Sequence, residues 1–183
     1  MQGQARGFTV VELMVALAVM AIVLGFAVPG FQSMVNSNRL AGASNELMAS
    51  LQTARMEAIR RNRRVAICAS ANPNAGDDAT CAGSGVHGWI IFVDTNTDGD
   101  FDKVGDTLVR VASLPSNIEV SGTDLVAYRS DGLGRDVDGA LVTDGNVRLR
   151  IDASQPKQNV RCIGITTGGA AVRVPTAHDD SCS

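Results

Sequence analysis

The chain has 183 residues, with 16 basic and 19 acidic side chains and a formal charge of −3 at pH 7. Residues 1–67 hold seven of the basic and three of the acidic side chains, so residues 68–183 carry the net negative charge. Because phosphate binding needs clustered cations, this balance argues against strong general attraction to nucleic acid and leaves a local basic patch as the alternative.

The first predicted element is an apolar helix near the N-terminus. Residues 13–28 contain no charged side chain, and the apolar region extends over residues 8–31. About 20 such residues are enough for an α-helix to cross the ~30 Å hydrocarbon core of a bilayer. Glu12 interrupts the pattern, and a carboxylate in a membrane helix costs about 2.5–3.5 kcal/mol, so it needs a partner.

A partner for this carboxylate is predicted from the short polar leader. A secretory signal is cut after its apolar region, but a cut between Gly7 and Phe8 would keep the apolar helix in the mature chain. It would also create an α-amine that we expect one helical turn from Glu12, on the same helix face. The alternative is an uncleaved signal anchor in which Glu12 reaches the membrane interface.

The sequence GFTVVEL at residues 7–13, followed by the apolar helix, resembles the class III signal of type IV pilins and type II secretion pseudopilins. The resemblance implies that a prepilin peptidase removes residues 1–7 and N-methylates Phe8. It implies that Glu12 docks each subunit against the N-terminus of its neighbour, and that Pro29 bends the helix. The implied partners are other minor and major pilins, the peptidase and an inner-membrane assembly platform. The implied location is the inner membrane, as a single-pass protein with a periplasmic head, and then the pilus.

An amphipathic continuation of the helix is predicted over residues 32–64. Small and apolar side chains recur there at steps of three and four residues, at Leu40, Ala43, Leu47, Leu51, Ala54 and Ala58. We expect one helix from residue 8 to residue 64, although the pattern also allows two helices broken at Pro29.

Arginines crowd the end of this helix, at Arg55, Arg60, Arg61, Arg63 and Arg64. We interpret them as a solvated helix face with acidic neighbours in a filament. Anionic lipid and nucleic acid are the alternative partners for this face.

Beyond residue 64 the apolar pattern alternates, and Gly, Asn, Asp and Pro turns separate short runs. Eight strands are predicted, at residues 64–69, 88–94, 107–112, 118–121, 125–129, 147–152, 159–166 and 171–174. No second helix is predicted. The fold class is therefore α+β, with a long N-terminal helix packed on an antiparallel β-rich head, residues 65–183, built as one sheet or two small ones.

The head contains four cysteines, and an even number in an exported domain indicates disulfides. Three pairings are possible. We favour Cys68–Cys81, which closes a short loop, and Cys162–Cys182, which ties the C-terminal tail to a strand. Zinc ligation is the alternative, but the chain has no C-x-x-C motif and only two histidines.

An acidic segment follows the second predicted strand and resembles the first half of an EF-hand calcium loop. Its candidate ligands are Asp94, Asn96, Asp98, Asp100 and Asp102. The twelfth position is Gly105 rather than glutamate, and no helix is predicted on either side. We therefore favour a polar hairpin loop over a calcium site, and we predict no other cofactor.

Catalytic motifs are not found in the head. Ser84 lies between two glycines but lacks the G-x-S-x-G spacing, and both histidines, His87 and His178, fall in predicted loops. The glycines at 132, 134 and 139 do not form G-x-G-x-x-G. The sequence therefore predicts a protein that is not an enzyme.

The head carries a second resemblance. Cys68 in the first strand, the run GWIIFVD-x-N-x-DG at residues 88–99 and GDTLVR at residues 105–110 resemble the FimT/FimU and GspH group. These proteins are minor pilins of type IV pili and the minor pseudopilin of type II secretion. The resemblance implies a structural subunit of the pilus tip or initiation complex that supports pilus assembly, with a GspH-type pseudopilin as the alternative.

The resemblance also raises DNA uptake as a function, because some FimT proteins bind DNA through a basic C-terminal motif. Here the corresponding residues 168–174 hold one arginine, and Asp179 and Asp180 follow. If DNA is bound, we expect the contact to be a strip of arginines on neighbouring strands, at Arg148, Arg150, Arg161 and Arg173.

Overall fold

The computed structural model describes residues 7–123, 125–153, 156, 158–173 and 182. Helix α1 runs without a break from Val10 to Arg61, so the alternative of two helices divided at Pro29 is wrong. Its N-cap is Thr9, whose hydroxyl accepts a hydrogen bond of 3.2 Å from the Glu12 N–H. Its C-cap is Asn62, which adopts the left-handed conformation and ends the helix earlier than predicted.

The described part of the head contains nine antiparallel strands in two sheets. They are β1 (Val65–Ser70), β2 (Gly88–Val93), β3 (Thr107–Ser113), β4 (Ile118–Gly122), β5 (Leu125–Tyr128), β6 (Gly134–Arg135), β7 (Gly145–Ile151), β8 (Val160–Thr166) and β9 (Gly169–Arg173). Sheet A has the order β3-β2-β1-β5-β6, and sheet B has the order β4-β7-β8-β9. The α+β prediction is confirmed. All eight predicted strands form, while β6 and a short 3-10 segment, Pro73–Asp78, were not predicted.

The second half of α1 packs on both sheets. Its six small and apolar stripe residues are buried, at Leu40, Ala43, Leu47, Leu51, Ala54 and Ala58. They join Ile91 of sheet A and Leu149 of sheet B in one core cluster. Trp89 is buried in the same cluster, and its indole N–H donates to the Ser50 hydroxyl across 2.8 Å. Burial of this stripe against two sheets is what holds the helix to the head.

The first half of α1 packs against no other part of the described chain. Its large apolar side chains are at least half exposed from Val10 to Val28 wherever their side chains are described. By length and composition this helix can cross a membrane. A helix that is apolar all round and unburied in protein needs lipid or other helices around it.

Two disulfides form in the head, with the pairing favoured from the sequence. Cys68 of β1 is joined to Cys81 in the connection between β1 and β2, with Cα atoms 5.6 Å apart. Cys162 of β8 is joined to Cys182, with Cα atoms 5.5 Å apart. The second bond fixes the end of the chain to sheet B.

Candidate functional site: the processing segment and the head surfaces

The predicted processing segment lies just before α1. Phe8 is 85% exposed, and the residue after it, Thr9, has extended backbone angles. Phe8 is therefore not part of the helix, and the expected same-face spacing between its amine and Glu12 does not hold in the uncleaved chain. The reason is the Thr9 cap, which starts the helix at Val10. Residues 1–6 of the predicted leader lie outside the described residues.

Glu12 lies in a local setting that we did not predict. The spacing Thr9-x-x-Glu12 is that of a capping box, and the structure forms one half of it, the hydrogen bond from the Glu12 backbone N–H to the Thr9 hydroxyl. A carboxylate in the first helical turn also interacts favourably with the helix dipole. Glu12 is thus compatible with helix initiation as well as with the docking role that the resemblance implies.

Arg64 and Asp94 form a buried ion pair just beyond the end of α1. The Arg64 Nε lies 3.2 Å from Asp94 Oδ2, and the side chains are 8% and 0% exposed. The remaining guanidinium nitrogens donate to the backbone carbonyls of Thr97 and Val137. We expected Arg64 to be part of a solvated helix face. This expectation is wrong, because α1 ends before Arg64. The guanidinium joins the acidic loop to the segment after β6.

Asp94 organises the turn that follows β2. Its carboxylate accepts hydrogen bonds from the Thr97 N–H at 2.7 Å and the Gly99 N–H at 3.2 Å. Burial raises the pKa of Asp94, and the Arg64 charge and these two N–H groups oppose that rise. The first candidate calcium ligand is thus already neutralised by a guanidinium of the same chain.

The other candidate calcium ligands bond to one another rather than facing a common centre. The Asn96 amide donates to Asp98 at 2.7 Å and to Asp102 at 3.4 Å, and the Asp100 N–H donates to Asp98. No group of three or more Asp, Glu, His or Cys side chains among the described residues could hold a metal ion. The polar hairpin stays the prediction, and a calcium titration tests it.

We expect calorimetric titration of the full-length protein in detergent with millimolar calcium to give no heat of binding. The physical reason is that Arg64 fills the position of a cation beside Asp94. A saturable heat that disappears in the Asp94→Asn variant would contradict this prediction and identify a calcium site.

Three of the other arginines at the end of α1 have partners within the same chain. Arg60 and Arg61 both bond to Glu57, and these hydrogen bonds lower the pKa of Glu57 from 4.5 to about 2. Arg55 donates to the Gly168 carbonyl at 2.6 Å, in the turn between β8 and β9. Much of this charge is therefore balanced inside one subunit.

The strand register places three of the four candidate DNA-binding arginines on one face of sheet B. Arg148 of β7 and Arg173 of β9 both pair with Cys162, which lies between them. Arg150 pairs with Glu119 of β4. Directly paired residues share a face, so these three arginines lie on the face opposite α1, around the Cys162–Cys182 disulfide.

Arg161 does not belong to this strip. Its partner in the register is Leu149, which is buried in the core on the α1 side of the sheet. Its guanidinium donates to the carbonyls of Gln158 and Val160, and burial lowers the pKa of Arg161. The expected strip of four arginines is therefore wrong at Arg161, because consecutive residues of a strand point to opposite faces of the sheet.

Comparison with known proteins identifies the family. The model of the family described as Type II transport protein GspH matches residues 43–169, and that of the Prokaryotic N-terminal methylation motif matches residues 3–28. Pilin-like protein PilA1 of Thermus thermophilus is 34% identical over 99 residues, which cover 53% of this chain and 53% of that protein. The chain thus matches this curated relative over about half of its length.

Two crystal structures of the type IV minor pilin FimU of Pseudomonas aeruginosa are also similar, at 18% identity. Their TM-scores are 0.49 and 0.46, with 82% and 78% of this chain and 99% of each FimU chain covered. The GspH match spans more than half of the chain, and the methylation motif includes Gly7, Phe8 and Glu12. The chain therefore belongs to the GspH family of pilin-like proteins, which are structural subunits and not enzymes.

Proposed function

We propose that this chain is a minor subunit of a type IV pilus that enters the tip or priming complex and supports pilus assembly. It is made as a prepilin, cut between Gly7 and Phe8 and methylated at Phe8. Before assembly it is held in the inner membrane with its head in the periplasm. Its partners are other minor and major pilins, the prepilin peptidase and the assembly platform.

The observation that carries this proposal is the division of α1. One continuous helix has an exposed apolar first half and a second half buried in the head. The exposed half needs an apolar environment, which lipid supplies before assembly and neighbouring helices supply in a filament. Transfer between the two environments requires no refolding of the head.

A minor pseudopilin of type II secretion is the second candidate. The description of the matching family favours it, and the same helix would serve a secretion pseudopilus. The two candidate functions differ in the partner proteins that they require, while both use the same apolar helix and the same head.

Affinity purification of the tagged full-length protein from membranes, with mass spectrometry of its partners, separates the candidates. Recovery of minor pilins and a pilus tip adhesin is the expected result. Recovery of secretion pseudopilins instead would overturn the pilus assignment. The Glu12→Gln variant is the matched control, because docking partners should be lost with the carboxylate.

DNA uptake is a more specific function within pilus biology, and it stays a prediction. If the strip around Cys162 contacts DNA, a gel shift with the full-length protein should weaken with salt and with Arg173→Ala. Arg161→Ala is the matched control, since Arg161 lies on the other face of sheet B. If the retardation of the DNA in the gel changes neither with salt nor with Arg173→Ala, the DNA is not bound at this strip.

A further inference from the structure

Within the described residues, the β4 strand has a free edge. It is the outer strand of sheet B, and β7 is its one described partner in that sheet. The Thr123 N–H donates to the Asn146 carbonyl at 2.8 Å, which fixes the alternation of hydrogen-bonded pairs along the two strands. In an antiparallel pair the intervening residues point their backbone groups away from the partner. The N–H and C=O groups of Val120 and Gly122 therefore point away from β7.

This edge opens into a groove between the two sheets. The groove has a volume of about 570 Å³, and its lining includes Val120 on one side and residues 83–87 on the other. The far wall is a loop held to sheet A, because its His87 N–H donates to the Ser70 carbonyl of β1 at 2.9 Å. Its volume falls within the range of ligand sites, and an added strand would lie about 4.8 Å from β4.

Positive charge lines the same groove. Arg148 and Arg150 lie two residues apart on one face of β7, about 7 Å from each other along the strand. Arg150 is only weakly paired, since its Nη1 is 3.8 Å from the Glu119 carboxylate, beyond hydrogen-bond length. Its Nε is buried and has no hydrogen-bond partner among the described residues. The Arg150 side chain is nevertheless 40% exposed, so a carboxylate entering the groove could pair with its terminal nitrogens.

We propose that the free edge of β4 accepts an extended, acidic peptide segment of a neighbouring subunit. The segment adds a strand to sheet B through the backbone groups of Val120 and Gly122, and one of its carboxylates pairs with Arg150. Strand addition supplies affinity through main-chain hydrogen bonds, and the charge selects the partner and its register. The neighbour is a subunit of the same filament, and in this respect the inference rests on the proposed function.

The test uses the full-length protein in detergent and a labelled, end-blocked heptapeptide of alternating threonine and aspartate. Binding should slow hydrogen exchange at the Val120 and Gly122 amides. A twin peptide of the same charge with N-methylated backbone amides should bind about tenfold more weakly, since it cannot form the added ladder. Arg150→Ala should weaken binding of the unmodified peptide about fivefold, as expected for a partly exposed charge pair.

Val120→Pro tests the edge from the protein side. Proline is tolerated where a strand N–H faces outward, so this variant should keep the β4–β7 ladder and lose peptide binding. Val120→Ala is the matched control, because it retains the N–H. The methylated twin peptide tests the same contact without changing the protein, should Val120→Pro fail to fold.

Equal binding of the two peptides, or peptide binding without slowed exchange at Val120, would overturn the inference and leave only charge attraction. An oligonucleotide that displaces the peptide would assign the groove to phosphate instead, if its binding is weakened by Arg150→Ala but not by Val120→Pro. The test does not depend on which filament the protein joins. A failure here with pilins recovered from membranes would therefore overturn this inference alone.

Discussion

Replacement of Arg64 by methionine is expected to lower the free energy of unfolding of the head by about 3–5 kcal/mol. The substitution keeps much of the side-chain volume but leaves the fully buried Asp94 carboxylate without its cation. It also removes hydrogen bonds to the carbonyls of Thr97 and Val137, so the two loops lose their connection. Urea unfolding followed by fluorescence of the single tryptophan, Trp89, measures the loss, because this side chain is buried in the core.

The neighbouring Arg63→Met variant is the matched control. Arg63 is exposed, and such a surface change should alter stability by less than about 0.5 kcal/mol. The double variant of Arg64→Met with Asp94→Asn should cost less than the sum of the single variants, since the buried charge is then gone. Arg64→Met behaving like Arg63→Met would show that the pair contributes no net stability.

The helix and most strands were predictable because their signals are local. The stripe from Leu40 to Ala58 repeats at helical spacing, and all of its members are buried. Strand β7 alternates between buried and half-buried residues along its whole length, as its sequence indicates. The capping of α1 was equally readable from Thr9-x-x-Glu12, although the sequence analysis did not use it.

The features that sequence reasoning missed depend on contacts between distant parts of the chain. Arg64 appeared as one more arginine at a helix end, because Asp94 is thirty residues away and nothing local links them. Arg161 lies between two apolar residues, so its sequence neighbours do not indicate which face of sheet B it occupies. Only its pairing with Leu149 shows that it lies on the face that packs on α1. Strand β6 has two residues, which is too short to show a period.

Glu12→Gln is expected to leave processing and membrane insertion intact but to reduce entry into filaments by about tenfold or more. The carboxylate costs about 2.5–3.5 kcal/mol in a membrane helix, so its neutral variant should be held in the bilayer at least as well. In a filament, the carboxylate is proposed to pair with the N-terminal amine of a neighbour, and glutamine cannot form this ion pair. A loss of 1.4 kcal/mol already corresponds to a factor of ten. Immunoblots of sheared filaments and of membranes measure the two pools, and the mass of the membrane form reports cleavage.

The cap on α1 provides the control that separates docking from helix initiation. Thr9→Ala removes the hydroxyl that accepts the Glu12 N–H and should weaken the first turn by about 1 kcal/mol, while it keeps the carboxylate. If Glu12 acts in docking, Thr9→Ala should enter filaments almost as well as the unmodified chain, and Glu12→Gln should not. Equal losses in the two variants would mean that helix initiation, and not an ion pair between subunits, is what Glu12 provides. Because the first half of α1 contacts nothing else in the described chain, neither substitution should change the urea unfolding of the head. A change in that unfolding would show that the two halves of the helix are coupled.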